Sequence, residues 1–131
     1  MASIVGTWKL VASASHDAAG KPMPAPYGGH GIGRVTFTAD GRMMSVVCDG
    51  RRELPAGAQR DYNSYCGNYT FDGSWLVTRV DAASDPGRIG SDQVRGVRIL
   101  GDDRMILIPP PRQTAAGEEH RELTWQRIAA E

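Results

Sequence analysis

Short runs rich in Val, Ile, Thr, Tyr and Trp recur along the chain, separated by clusters of glycine and proline. They cover residues 7–13, 32–38, 43–48, 65–71, 75–81, 93–100, 104–108 and 120–128. Runs of this length and of this β-branched and aromatic content predict strands. No long stretch carries apolar residues at helical spacing. Eight such runs in a chain of 131 residues predict an all-β, antiparallel, up-and-down β-barrel. One connection departs from this pattern. Leu54, Ala58 and Tyr62 recur at helical spacing after Pro55, which suits a first turn, so residues 51–63 predict a short helical lid.

The connections alternate in kind. Asp40-Gly41, Asp72-Gly73 and Gly101-Asp102-Asp103 are tight. Asp-Gly favours a hairpin turn in which both central residues take positive φ. Residues 14–31, 49–64, 82–92 and 109–119 are long connections. Alternate loops of an up-and-down barrel lie at opposite ends. One end is therefore expected to be closed by hairpins, and the other to carry the long loops. Ligand sites favour such a mouth.

Composition narrows the function. Length predicts a single domain spanning residues 1–131. Hydrophobic residues make up 40% and charged residues 23%, a globular balance. Fifteen basic residues offset fifteen acidic ones. That neutrality argues against a nucleic-acid partner, which requires a basic surplus. No apolar stretch approaches the roughly 20 residues needed to cross a bilayer, so no membrane partner is expected. The opening residues lack a charged and then apolar leader pattern, and a cytoplasmic location is the expectation. Cys48 and Cys66 do not make a disulfide framework. No metal-ligand spacing is present, and glycines 28–33 precede β-type residues rather than a helix, so no metal and no cofactor are expected.

Several blocks carry a family resemblance. Gly6-Thr7-Trp8 opens the first run, and Leu123-Thr124-Trp125-Gln126-Arg127 falls in the last. An indole closing a barrel floor under a guanidinium is a sound cation–π arrangement. Pro26-Tyr27-Gly28, Gly33, Thr36 and Asp40-Gly41-Arg42-Met43 follow in order. So do Tyr65-Cys66-Gly67-Asn68-Tyr69-Thr70 and Gly90-Ser91-Asp92-Gln93-Val94-Arg95. Together these blocks resemble the lipocalin-like domain family. The resemblance implies a small ligand-binding barrel, related to cofactor-free cyclases and isomerases. Three positions depart from the family's habit: Gly31 where proline is common, Arg34 where an aromatic residue is common, and Thr78-Arg79 where a histidine is common.

Topology brings a set of polar residues to the expected mouth. His30, Tyr65 and Arg34 are the candidate catalytic residues. Tyr69, Arg79, Arg95, Cys48 and His120 are the candidate substrate-binding residues. An inward arginine would hold a carboxylate, enolate or phenolate, or an oxyanion developing in a reaction. A tyrosine in an apolar cavity donates to a carbonyl or relays a proton. Histidine titrates near neutral pH. Gly67 between the two tyrosines would let a ligand approach the backbone. The bland alternatives stand beside these: exterior arginines paired with acids, tyrosines as packing, solvated histidines and inert thiols. Alternation puts successive residues on opposite faces, and the sequence leaves the phase open. The expected partner is a small hydrophobic or aromatic ligand, with a homodimer possible. The expected activity is a cofactor-independent isomerase, cyclase or lyase step on an aromatic or polyketide-like carbonyl compound. A non-catalytic binder or carrier is the alternative.

Overall fold

The apolar runs pair in sequence order, and their buried residues recur at every second position. In the computed structural model, which describes residues 3–130, the strands are β1 (Gly6–His16), β2 (Gly31–Phe37), β3 (Arg42–Asp49), β4 (Tyr62–Phe71), β5 (Trp75–Ala83), β6 (Asp92–Ile99), β7 (Arg104–Ile108), β8 (Arg112–Thr114) and β9 (Gly117–Ala129). All neighbours are antiparallel. β1 pairs with both β2 and β9, which closes the sheet into a barrel of eight strands. β8 lies outside that circuit as a short hairpin arm on the start of β9.

The expected helix over residues 51–63 does not form. Its first part is irregular, and Tyr62 already belongs to β4. Gly57 sits at φ +80°, which breaks any helical course. Arg60 fastens the segment instead, donating to the carbonyls of Asp49 (2.7 Å) and Arg51 (2.5 Å). Apart from strands, the described residues hold only two short 3₁₀ turns, Pro26–Gly29 and Pro86–Arg88.

Loop lengths alternate as expected. Residues 38–41, 72–74 and 100–103 close one end, and residues 17–30, 50–61, 84–91 and the segment carrying β8 surround the other. The tight turns differ in type from the expectation. Gly41 and Gly73 have φ of +95° and +100°, whereas neither Asp40 nor Asp72 has positive φ. The Gly41 amide donates to Thr38 (3.2 Å), so the turn is one residue longer, with a left-handed glycine after an ordinary turn.

The closed end is filled by large side chains. Trp8, Phe37, Leu76 and Met105 are each at most 1% exposed. A fully buried side chain of this size contributes about 1.5–3 kcal/mol through burial. Trp8 donates its indole N–H to the Ile4 carbonyl at 2.9 Å. The Arg127 guanidinium lies 4.3 Å from the Trp8 ring centroid, as the tryptophan–arginine pattern implies. Arg127 also bonds the carbonyls of Ser3 (2.7 Å), Val5 and Asp102 (3.3 Å), binding both the N-terminal segment and the β6–β7 turn to the floor.

Three irregularities reset the pleat. Thr7 faces Ala129 while Trp8 faces Arg127, so Ile128 is an extra residue on β9. Leu10 faces Trp125 while Ala12 faces Thr124, so Val11 is an extra residue and inward positions shift to Ser13 and Ser15. Gly67 faces Val80 while Cys66 faces Ala82, so Asp81 is extra. At Gly67 a Cβ would lie 1.8 Å from the Arg79 carbonyl oxygen. This glycine therefore accommodates a neighbouring strand, and not a ligand as expected.

A cavity beneath the long loops

Above the packed floor the barrel is hollow. A cavity of about 570 Å³ opens among the long loops. Its apolar wall includes Val35, Met43, Val47, Leu107, Leu123 and Trp125. Its polar groups include Tyr27, Asn63, Tyr65, Arg88, Arg95 and Arg121. Strand alternation explains the apolar wall and, of the polar groups, Asn63, Tyr65, Arg95 and Arg121, whereas Tyr27 and Arg88 come from turns. Once Val35, Met43 and Trp125 pack inward, every second residue toward the mouth follows them.

Tyr27 reaches the cavity by an unusual backbone. It is the one non-glycine among the described residues with positive φ (57°), within Pro26-Tyr27-Gly28-Gly29. The turn is closed by the His30 amide, which donates to the Tyr27 carbonyl at 3.1 Å. A left-handed tyrosine is strained and is kept only where its surroundings require it. Burial raises the Tyr27 phenol above its ordinary pKa, against the lowering effects of the Arg121 charge and the Asn63 amide. The phenol is therefore a proton-bearing donor at neutral pH.

Beneath this turn, Asp49 is 3% exposed and bound by Arg51 through Nη2 at 2.5 Å and through Nε at 3.1 Å. Its carboxyl also accepts the Arg51 amide, and these bonds lower its pKa to about 2. A Cβ on Gly28 would fall 2.2 Å from the Arg51 guanidinium, so this glycine lets the Tyr27 turn rest on the Asp49–Arg51 pair.

On the β9 side, Glu119 is 6% exposed and lines the cavity. It accepts from Ser15 Oγ (2.7 Å), Arg112 Nε (2.6 Å) and Arg121 Nε (3.1 Å). Burial pushes this carboxyl up, but the bonds from Ser15 and Arg112 and the Arg121 charge outweigh it and hold the pKa below the ordinary value. Glu119 is thus a fixed anion that anchors the hairpin arm to the rim.

Of the residues expected at the site, Tyr65 and Arg95 line the cavity. The Tyr65 hydroxyl has no hydrogen-bond partner among the described residues. Tyr69 shares the inward face but lies nearer the floor. Its hydroxyl donates to the Thr38 carbonyl at 2.8 Å, and its ring meets Phe37 edge-on at 5.1 Å.

The other five do not reach the cavity. Arg34 is exposed, because Val35 and Phe37 take the inward positions of β2. Arg79 is likewise exterior and pairs with Asp92 at 2.9 Å. Cys48 lies between inward Val47 and Asp49, on the outer face opposite Tyr62. It is four ladder positions from Cys66, which faces Met44, so the two thiols are not neighbours. His120 lies on the outer face and stacks on His16, with centroids 5.4 Å apart. His30 is exposed at the end of its turn and does not line the cavity.

The sequence reading missed Tyr27, Arg88, Arg121 and Glu119. A signal existed for two of them: Trp125 sets the phase of β9, and Leu123, Arg121 and Glu119 share its parity. No group of three or more His, Cys, Asp or Glu side chains able to hold a metal occurs among the described residues.

No curated protein matches the chain. A family model does. The closed eight-stranded barrel, its tryptophan–arginine floor and the hollow above it form the setting expected for small-molecule binding. The model described as a lipocalin-like domain matches residues 5–128, nearly the whole barrel, so the chain belongs to the lipocalin-like domain family.

Proposed function

We propose that the protein binds a small, largely apolar or aromatic organic molecule inside the barrel. The observation that carries this reading is the cavity of about 570 Å³, apolar toward the floor and polar at the rim. Filled interiors leave no such space, and ligand pockets of about 300–1,000 Å³ combine these same two kinds of wall. A direct test uses N-phenyl-1-naphthylamine, a neutral aromatic probe that brightens on leaving water. The expected result is saturable binding that Ser45→Trp abolishes, because Ser45 is buried and lines the cavity. Val47→Phe is the companion variant, also on the wall. Folded variants that keep the wild-type affinity would place the probe elsewhere and overturn the reading.

Turnover of the bound molecule is a second reading, favoured by the unpartnered Tyr65 hydroxyl. A phenol facing an apolar space is a donor for a carbonyl oxygen, Arg95 in the same cavity would stabilise the enolate that forms, and the Asp61 carboxylate, which also lines it, would take the proton lost from the neighbouring carbon. This supports a cofactor-independent isomerase, cyclase or lyase step, with Tyr65 in place of the exposed His30. Phenylpyruvate, an aromatic oxo acid, probes it. Exchange of its α-protons with deuterated water, followed by NMR, should be accelerated by the protein and lost in Tyr65→Phe. No acceleration by the wild type would leave binding alone.

A further inference from the structure

The charges around the cavity divide into two groups. Arg112 and Arg121 share the Glu119 carboxylate. Arg88 and Arg95 have no carboxylate partner among the described residues. Asp61 and Asp85 also line the cavity, yet neither forms an ion pair with them. Asp85 instead accepts from the Gly87 amide at 3.0 Å, capping the turn that carries Arg88.

A neutral side chain holds the two unpaired guanidiniums in place. Gln93 Oε1 accepts from Arg88 Nη1 at 3.4 Å and from Arg95 Nη2 at 3.3 Å. Arg95 Nη1 also bonds the Val94 carbonyl at 2.9 Å. Two like charges thus converge on one long, weak amide acceptor, both only partly exposed. Each guanidinium has five N–H donors, so most of theirs are uncommitted. Charges withdrawn from water are costly unless paired. The Arg88 charge also acts on the Tyr27 phenol, which locates it on the inner side of the rim.

We propose that Arg88 and Arg95 form an oxyanion subsite at the cavity mouth, so that the ligand is an amphiphilic organic acid. Its carboxylate, or an equivalent oxyanion, bridges the two guanidiniums. Its apolar body lies against Leu107, Leu123 and Trp125 below. Gln93 is a positioning residue that holds the two forks together while the site is empty. The inference rests on the cavity being a ligand site, and it adds the ligand's charge and orientation.

A matched pair of probes separates the two claims. 1-Anilinonaphthalene-8-sulfonate and N-phenyl-1-naphthylamine share one aromatic skeleton and differ by a sulfonate. Wild-type protein should bind the anion more tightly by about tenfold or more, the scale of a charge-assisted bond. Arg88→Gln and Arg95→Gln should each remove most of that preference, weakening the anionic probe severalfold more than the neutral one. Arg95→Lys should restore part of it, because the charge returns without the fork. Arg88 lies on a surface turn, so its variant keeps the test open if Arg95→Gln fails to fold. Binding of both probes with equal affinity, or a preference that survives both substitutions, would overturn the subsite and leave the cavity reading intact. Binding of neither probe would overturn both.

Discussion

The two ends of the barrel treat polar groups in opposite ways. At the floor, the large polar side chains are committed to the fold, the Trp8 indole to Ile4, the Tyr69 hydroxyl to Thr38 and the Arg127 guanidinium to carbonyls from two segments, while the small Thr78 hydroxyl opposite Tyr69 is buried without a partner among the described residues. At the mouth, the Tyr65 hydroxyl has no partner among the described residues, and Arg88 and Arg95 share one amide oxygen. Backbone strain is also unequal, since left-handed Tyr27 belongs to the mouth. A single sheet thus carries one end whose large polar side chains are tied to the fold and another that keeps a phenol and two guanidiniums available to a ligand. Stability and function are separated along the barrel axis, and substitutions at the two ends should have different consequences.

The largest effect is expected at the floor. Trp8→Ala removes a side chain that is 1% exposed, its bond to Ile4 and the surface on which Arg127 rests. Truncations of this kind cost about 3–5 kcal/mol. Urea denaturation should show a comparable loss, with little protein folded at moderate denaturant. A floor variant that instead kept full stability would break the contrast between the ends.

The next effect lies at a committed charge beneath the mouth. Asp49 has a pKa lowered to about 2 by its bonds with Arg51. A carboxyl depressed in the folded state adds stability above its unfolded pKa, and that contribution disappears as pH falls through the folded value. Asp49→Asn should therefore be less stable than the wild type at neutral pH. The gap should shrink below the ordinary aspartate range and close only below about pH 2. Denaturation midpoints of both proteins across acid pH measure this directly. A gap independent of pH would mean that the carboxylate charge contributes nothing to the latch under Tyr27.

A matched pair of tyrosines sharpens the comparison at smaller scale. Tyr69→Phe loses a hydrogen bond to a floor carbonyl and should cost about 0.5–1.5 kcal/mol. Tyr65→Phe removes a hydroxyl with no protein partner and should leave stability within about 0.5 kcal/mol. The two residues occupy the same strand and the same face, so the difference isolates position along the axis. Thermal unfolding of both variants is sufficient.

What the sequence shows of this arrangement follows the reach of local rules. Asp-Gly turns and β-branched runs are local, and they place the eight barrel strands and the two ends. Trp8 and Arg127 are legible as a floor through the family resemblance, and the cation–π contact between them gives it a physical reason. Strand lengths are less legible. Residues 14–16 and 117–119 read as loop, yet residues 14–16 extend β1 by pairing with residues 120–122, and residues 117–119 extend β9 by pairing with the β8 arm. The β8 arm has no apolar pattern and depends on Arg112 meeting Glu119. Phase is the largest loss. The extra residues at Val11 and Asp81 shift parity within a strand, and both depend on cross-strand register, which no single run contains. Arg121 and Glu119 were recoverable from the parity of Trp125, whereas the left-handed turn at Tyr27 depends on the buried Asp49–Arg51 pair below it.

The smallest effect is expected at Arg34, and its smallness tests the phase itself. Arg34 and Arg95 each stand on a barrel strand and bond the carbonyl of the preceding residue, at 2.8 Å and 2.9 Å. Locally they are the same device. They differ in parity: Arg34 alternates with buried Val35 and faces outward, while Arg95 lines the cavity. Arg34→Ala should leave stability within about 0.5 kcal/mol and leave the affinity for both aromatic probes unchanged. If removing Arg34 weakened the anionic probe as strongly as removing Arg95, charge anywhere on the barrel would suffice. The separation between an inert outer wall and a selective interior would then fail. An effect confined to Arg95 would assign the preference to geometry inside the mouth, because the two substitutions remove the same charge from the same kind of strand.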